Sequence, residues 1–165
     1  MTTLLAALLL ALSSPQPCAA DLSRAVEHVE SRGHTLAVSG AGARGLWQVM
    51  PAWSRVPAWA LHIPAVGRWE GCRILRRWRR RAVARCRHEG RGCRVEVRAL
   101  AGYNAGGAGL RGRSRRGMDY ARAVLAHRTT ARGQATNNPR RRPVTRATRR
   151  ARALRRVAHL RRVER

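Results

Sequence analysis

The sequence predicts one compact, mainly α-helical domain followed by a basic C-terminal tail. Apolar residues recur at helical spacing in several segments, glycine and proline separate those segments, and the composition changes abruptly near residue 129. The length of 165 residues supports one modest domain with appendages and excludes a large multidomain enzyme. An apolar content of 44% is normal for a globular chain, so wholesale disorder is excluded despite a net charge of +27. Lys and Phe are both absent, so every Lys-or-Arg position is Arg, as expected when codons are biased toward G and C. The charge by itself therefore names no partner. Physically, it favours phosphate and carboxylate polymers: nucleic acid, anionic membrane surfaces and cell-wall polymers.

Leu4 to Leu12 is an unbroken run of Leu and Ala, followed by Ser13, Ser14, Pro15, Gln16 and Pro17. It is too short for a transmembrane helix and reads as a signal peptide over 1–20, with Cys18 and Ala20 placed for cleavage after Ala20. Its n-region lacks Lys and Arg, and the alternative is a buried N-terminal helix. Export implies a periplasmic or secreted protein in an oxidising compartment. Cys18 would leave with the signal, so Cys72, Cys86 and Cys93 would remain as one disulfide and a free thiol. Zinc at Cys86, His88 and Cys93 lacks the usual paired spacing, and neither metal nor cofactor is expected.

The catalytic-domain candidate spans 21–128. Leu22, Ala25, Val26 and Val29 predict a helix from Asp21 to Arg32, capped by Asp21 and ended by Gly33. A Gly-rich loop follows from Gly33 to Gly45, then a short apolar segment, Leu46 to Met50, stopped by Pro51. Trp53 to Trp69 reads as irregular because of Pro57 and Pro64. Helices are expected from about Cys72 to Arg87, over Val95–Ala101, and over Met118–His127. The tail, 129–165, holds 13 Arg and one carboxylate, Glu164. It is flexible, or forms an amphipathic basic helix through Leu154, Val157, Leu160 and Val163 on an anionic surface.

The eight carboxylates allow an exhaustive search for a catalytic acid. Glu27 falls on the polar side of the first helix, whereas Glu30 lies beside the apolar stripe of Leu22, Val26 and Val29. Partial burial would hold a proton on Glu30 toward neutral pH and suit it to general acid catalysis.

Its surroundings are more specific than its position. Glu30, Ser31, Ala37, Val38, Ser39 and the run Gly42, Ala43, Arg44, Gly45, Leu46, Trp47, Gln48, Val49, Met50, Pro51 resemble the catalytic motifs of soluble lytic transglycosylases. Ala99, Leu100, Ala101, Gly102, Tyr103, Asn104, Ala105, Gly106 resembles that family's A-L-A-A-Y-N-A-G motif. Asp119 and Tyr120, followed by Val124 and Leu125, resemble its closing tyrosine helix. The resemblance covers roughly 22–127 and implies a fold of the lysozyme-like α+β superfamily. It implies cleavage of the β-1,4 bond between N-acetylmuramic acid and N-acetylglucosamine in peptidoglycan, with formation of a 1,6-anhydromuramic end. Glu30 would be acid and then base. Ser31, Gln48, Met50, Tyr103, Asn104 and Tyr120 would bind or frame the substrate, Gln48 as a donor to the sugar and Tyr120 by reaching toward Glu30. Trp47 stands where Met is common and offers a ring to stack on a sugar. The other tryptophans, at 53, 59, 69 and 78, are candidates for glycan binding or for core packing.

One carboxylate suffices if the sugar's own 6-hydroxyl is the nucleophile, whereas most glycosidases need two. The expected partners are peptidoglycan strands, with anionic wall polymers or a membrane surface at the tail, and a secretion or conjugation apparatus as a setting; the expected state is a monomer. Two alternatives stand beside this reading: a hydrolytic lysozyme of goose type, and a noncatalytic Arg-rich protein binding anionic polymers.

Overall fold

The computed structural model describes residues 18–137, with side chains through residue 130. The expected signal segment before Cys18 and the expected amphipathic helix at 154–163 lie outside the described residues. Four α-helices follow one another: α1 Ala20–Ser31, α2 Pro64–Glu89, α3 Val95–Leu110 and α4 Arg115–Asn137. Two 3-10 turns, Pro51–Trp53 and Ala58–His62, lie between α1 and α2. Extended structure among the described residues is confined to isolated bridges, Val38 with Arg44 and Arg44 with Val49. They fold the segment after α1 into a tight loop.

α1 starts one residue before Asp21, so Asp21 is not its cap. It sits in the first turn, where a negative charge suits the helix dipole, and accepts a hydrogen bond from Arg128 at 2.9 Å. The helix ends at Arg32 in the left-handed conformation. The Arg32 and Gly33 amides return to the carbonyls of His28 and Glu27, the usual way of satisfying the last carbonyls.

The three later helices are longer than their apolar patterns suggest. Pro64 does not break a helix but begins one, at the first-turn position where proline's missing N–H costs nothing. α3 continues through Tyr103 and Asn104, breaks at Ala105 and Gly106, and resumes to Leu110. Gly106, at φ 59° and ψ −144°, occupies a region essentially reserved for glycine. α4 extends past 128 to Asn137.

The core gathers Ala25 and Val26 of α1, Leu46, Trp47 and Val49 of the loop, Leu75 and Trp78 of α2, Leu100 and Ala101 of α3, and Tyr120 and Val124 of α4. Two glycines let large rings into it. A Cβ on Gly71 would intrude on the Trp47 ring, and one on Gly102 would lie 2.8 Å from the Trp78 ring. Trp47 is fully buried, so it cannot stack on a sugar; it roofs the contact between the loop and α2.

The cysteines also depart from expectation. Cys18 is bonded to Cys72 and Cys86 to Cys93, with no free thiol. A chain beginning at Asp21 would lose the first of these links. The second takes both thiolates that zinc would have required.

Candidate active site

α1 carries two glutamates with opposite surroundings. Glu27 is buried, not on a polar face as its wheel position suggests. Its Oε1 accepts from Ser23 Oγ at 3.0 Å and Trp47 Nε1 at 3.2 Å, and the Arg68 guanidinium binds both carboxylate oxygens at 2.7 and 3.0 Å. Burial pushes this carboxyl up, but the donors from Arg68, Trp47 and Ser23 together outweigh it and hold the carboxyl below its ordinary value. Glu27 is thus a charged anchor between α1, the loop and α2.

Glu30, one turn on, has no such escort. Burial raises its carboxyl to about 7, against weaker opposing effects from the Tyr120 hydroxyl and the Arg116 charge. All other carboxylates among the described residues are in ion pairs with arginine: Asp21 and Glu96 with Arg128, Glu27 with Arg68, Glu70 with Arg73, Glu89 with Arg85 and Arg98, and Asp119 with Arg115 and Arg122. Among them Glu30 alone, half-buried, is outside an ion pair, which leaves it able to hold and release a proton near neutrality.

Two tyrosines stand over it. Tyr103 and Tyr120 stack with centroids 6.4 Å apart, and the Tyr103 hydroxyl donates to the Trp47 carbonyl at 2.8 Å. Burial, reinforced by the Glu30 charge, raises both phenols well above their ordinary value, so both stay protonated. The Tyr120 hydroxyl faces Glu30 closely enough to bias its charge but closes no hydrogen bond of regular geometry. We read it as a donor poised for the carboxylate.

Beside this group lies an open cleft of about 180 Å³, lined by Gln48, Val49, Met50, Trp53, Ile74, Trp78, Gly102, Tyr103, Asn104 and Gly106. Glu30 does not itself line it; Tyr103 is the residue common to cleft and glutamate. The structure therefore brings Gln48, Met50, Tyr103 and Asn104 to one cleft and sets Glu30 and Tyr120 behind Tyr103. Asn104 Oδ1 is buried without a partner among the described residues, and so is available as an acceptor at the cleft. The break after Asn104 is what the glycine at 106 permits.

Two expected substrate contacts take another role. The Gln48 amide nitrogen is occupied by the carbonyls of Ala37 and Gly45, at 3.2 and 3.0 Å, so Gln48 has no donor left for a sugar and can offer only its oxygen. Its backbone sits at φ 45°, strained for a residue with a Cβ. The Ser31 hydroxyl lies within 3.1 Å of the Glu27 carbonyl and 3.0 Å of the Leu46 carbonyl. It is buried, and ties the end of α1 to the loop instead of facing the cleft.

Of the tryptophans, Trp53 and Trp78 line the cleft, Trp59 is exposed away from that lining, and Trp69 packs beside Val66. Ile74, Trp53 and Trp78 reach the cleft through tertiary contacts, and tryptophan's affinity for sugar faces was the one sequence signal for two of them.

Residues 16–60 match the family model of the transglycosylase SLT domain. The match supports the soluble lytic transglycosylase family read from the motifs, whose SLT domain cleaves glycosidic bonds. It includes Glu30, Ser31, Gln48 and Met50, while Tyr103, Asn104 and Tyr120 lie beyond its end. The SLT domain is lysozyme-like, and the described residues are likewise helical, with no sheet among them. No curated protein and no solved structure matches the chain.

Proposed function

We propose that this protein is a peptidoglycan lytic transglycosylase acting with Glu30 as its one catalytic carboxylate. The observation that carries the proposal is the isolation of Glu30: half-buried, raised to about 7, and outside the arginine pairs that engage the other described carboxylates. Near neutral pH about half of it is protonated. The protonated carboxyl donates to the glycosidic oxygen as the bond to C1 of N-acetylmuramic acid breaks. The resulting carboxylate takes the proton of the 6-hydroxyl as O6 bonds to C1, which closes the 1,6-anhydro ring and restores the acid. The nucleophile is part of the substrate, so no second carboxylate is needed. Glu27 is ill suited to that second role because its oxygens are already occupied.

Tyr103 and Asn104 frame the sugar beside the glutamate. The unpartnered Asn104 oxygen suits an N-acetyl N–H, and the Gln48 oxygen suits a sugar hydroxyl. Met50 and Trp53 supply apolar surface at the rim. The Cys86–Cys93 disulfide, which cleavage after Ala20 leaves intact, and the apolar run Leu4–Leu12 support action outside the cytoplasm, in the periplasm or after secretion.

The test is digestion of peptidoglycan by wild type and Glu30→Gln, with mass analysis of the products. Anhydro ends from the wild type and a loss of 10²-fold or more in the variant are expected. Reducing ends would instead identify a hydrolase of the lysozyme kind, and undiminished cleavage by the variant would remove Glu30 from the mechanism.

A further inference from the structure

The cleft's lining contains no charged side chain, but two arginines adjoin residues of that lining. Arg81 lays its guanidinium over the ring of Trp78, 5.0 Å from the centroid, and Trp78 lines the cleft. Arg111 lies against Gly107, next to the lining residue Gly106; a Cβ on Gly107 would come 3.1 Å from its Nη1. Arg116 is near enough to Glu30 to favour its charged form. None of these three is in an ion pair among the described residues. Carboxylates are scarce in this chain, and those described, Glu30 apart, are paired with other arginines, so Arg81 and Arg111 keep their capacity for an outside anion.

Resting on the cleft's reading as a glycan site, we propose that this rim recognises the free carboxylates of the stem peptides. A neutral cleft suits the sugars, which carry hydroxyl and acetamido groups. The stems branch from the lactyl groups of the same strand and leave the cleft at its edge, within reach of the arginines that adjoin Trp78 and Gly106. Guanidinium is the side chain best matched to a carboxylate, by its paired donors. The preferred substrate is therefore a strand whose stems bear unmodified carboxylates. Such contacts at an exposed rim are individually modest and screened by salt, so a preference of roughly tenfold at low ionic strength is expected.

The test uses peptidoglycan with its amines acetylated, in two forms: stem carboxylates free, or capped as methylamides. Wild type should cleave the free form roughly tenfold faster in kcat/KM, with the advantage shrinking at 0.5 M salt. Arg81→Gln with Arg111→Gln should erase the preference yet leave cleavage of the capped form unchanged, which also shows that the variant folds. Lysine at both positions should keep most of the preference. Equal cleavage of both forms by wild type, or a preference that survives the double substitution, overturns the proposal.

Co-sedimentation of the Glu30→Gln protein with each form reads binding without turnover. If wild type cleaves neither form, the transglycosylase reading fails, and the binding ratio still decides the rim: preference for the free form sustains it, and equal binding overturns it. Duplex DNA bound as tightly as the free form, and weakened alike by the double substitution, would mark a nonselective polyanion surface and overturn it too.

Discussion

Glu27 and Glu30 occupy neighbouring turns of one helix and are driven in opposite directions by what folds against them. For Glu30, a folded value of about 7 against an ordinary 4.5 means that the native state binds its proton more tightly than the unfolded chain does. No stability is lost below pH 4.5. Between 4.5 and 7 the unfolded chain ionises first, and above 7 the native state bears a penalty of about 3 kcal/mol. Glu30→Gln should therefore melt at a higher temperature than wild type at pH 8 and at nearly the same temperature at pH 4, an outcome readable by calorimetry. Glu27 works in the other sense: its stabilisation is present above pH 4.5 and fades as acid protonates it. Glu27→Ala leaves the Trp47 indole and Arg68 without their acceptor and should cost about 3 kcal/mol in urea unfolding at pH 7. Tyr120→Phe removes a hydroxyl that favours charged Glu30, so the alkaline limb of the pH profile of kcat/KM should move upward. The position of Glu30 beside an apolar stripe was legible in the sequence. The burial of Glu27 was not, because the arginine that compensates it lies 41 residues away.

Among the helices, proline and glycine are where local pattern and observed boundary part. Pro64 punctuates the sequence, yet whether it ends or opens a helix depends on which side the chain can pack; here it opens the longest helix of the described residues. Gly71 weakens that helix locally and serves it globally, because only a hydrogen at this position admits the Trp47 ring. Gly71→Ala should lower stability by about 1–3 kcal/mol despite alanine's better helix propensity, which a urea titration would show. A neutral or stabilising result would mean that Trp47 can move aside. The motif around Tyr103 and Asn104 was readable as a motif, but not as a break inside a continuing helix. Spacing alone cannot show that α3 resumes after the turn at Gly106.

For the whole molecule, the disulfides set the largest difference from expectation. The Cys18–Cys72 link spans 54 positions and the Cys86–Cys93 link only 7. By loop-closure entropy, the first stabilises by about 4 kcal/mol and the second by about 2. Cys18→Ser should accordingly lower the melting temperature more than Cys86→Ser does, and a reductant should reproduce the sum. The helical class, the apolar stripe of α1, the scarcity of carboxylates and the motifs around Glu30 are legible along the chain, because these depend on near neighbours and on residue chemistry. It takes the folded chain to make Trp47 and Glu27 buried partners, to brace the loop with Gln48 and Ser31, and to bond Cys18 to Cys72. Each of these outcomes depends on which distant group arrives to fill a volume or complete a hydrogen bond, and no local pattern encodes that arrival.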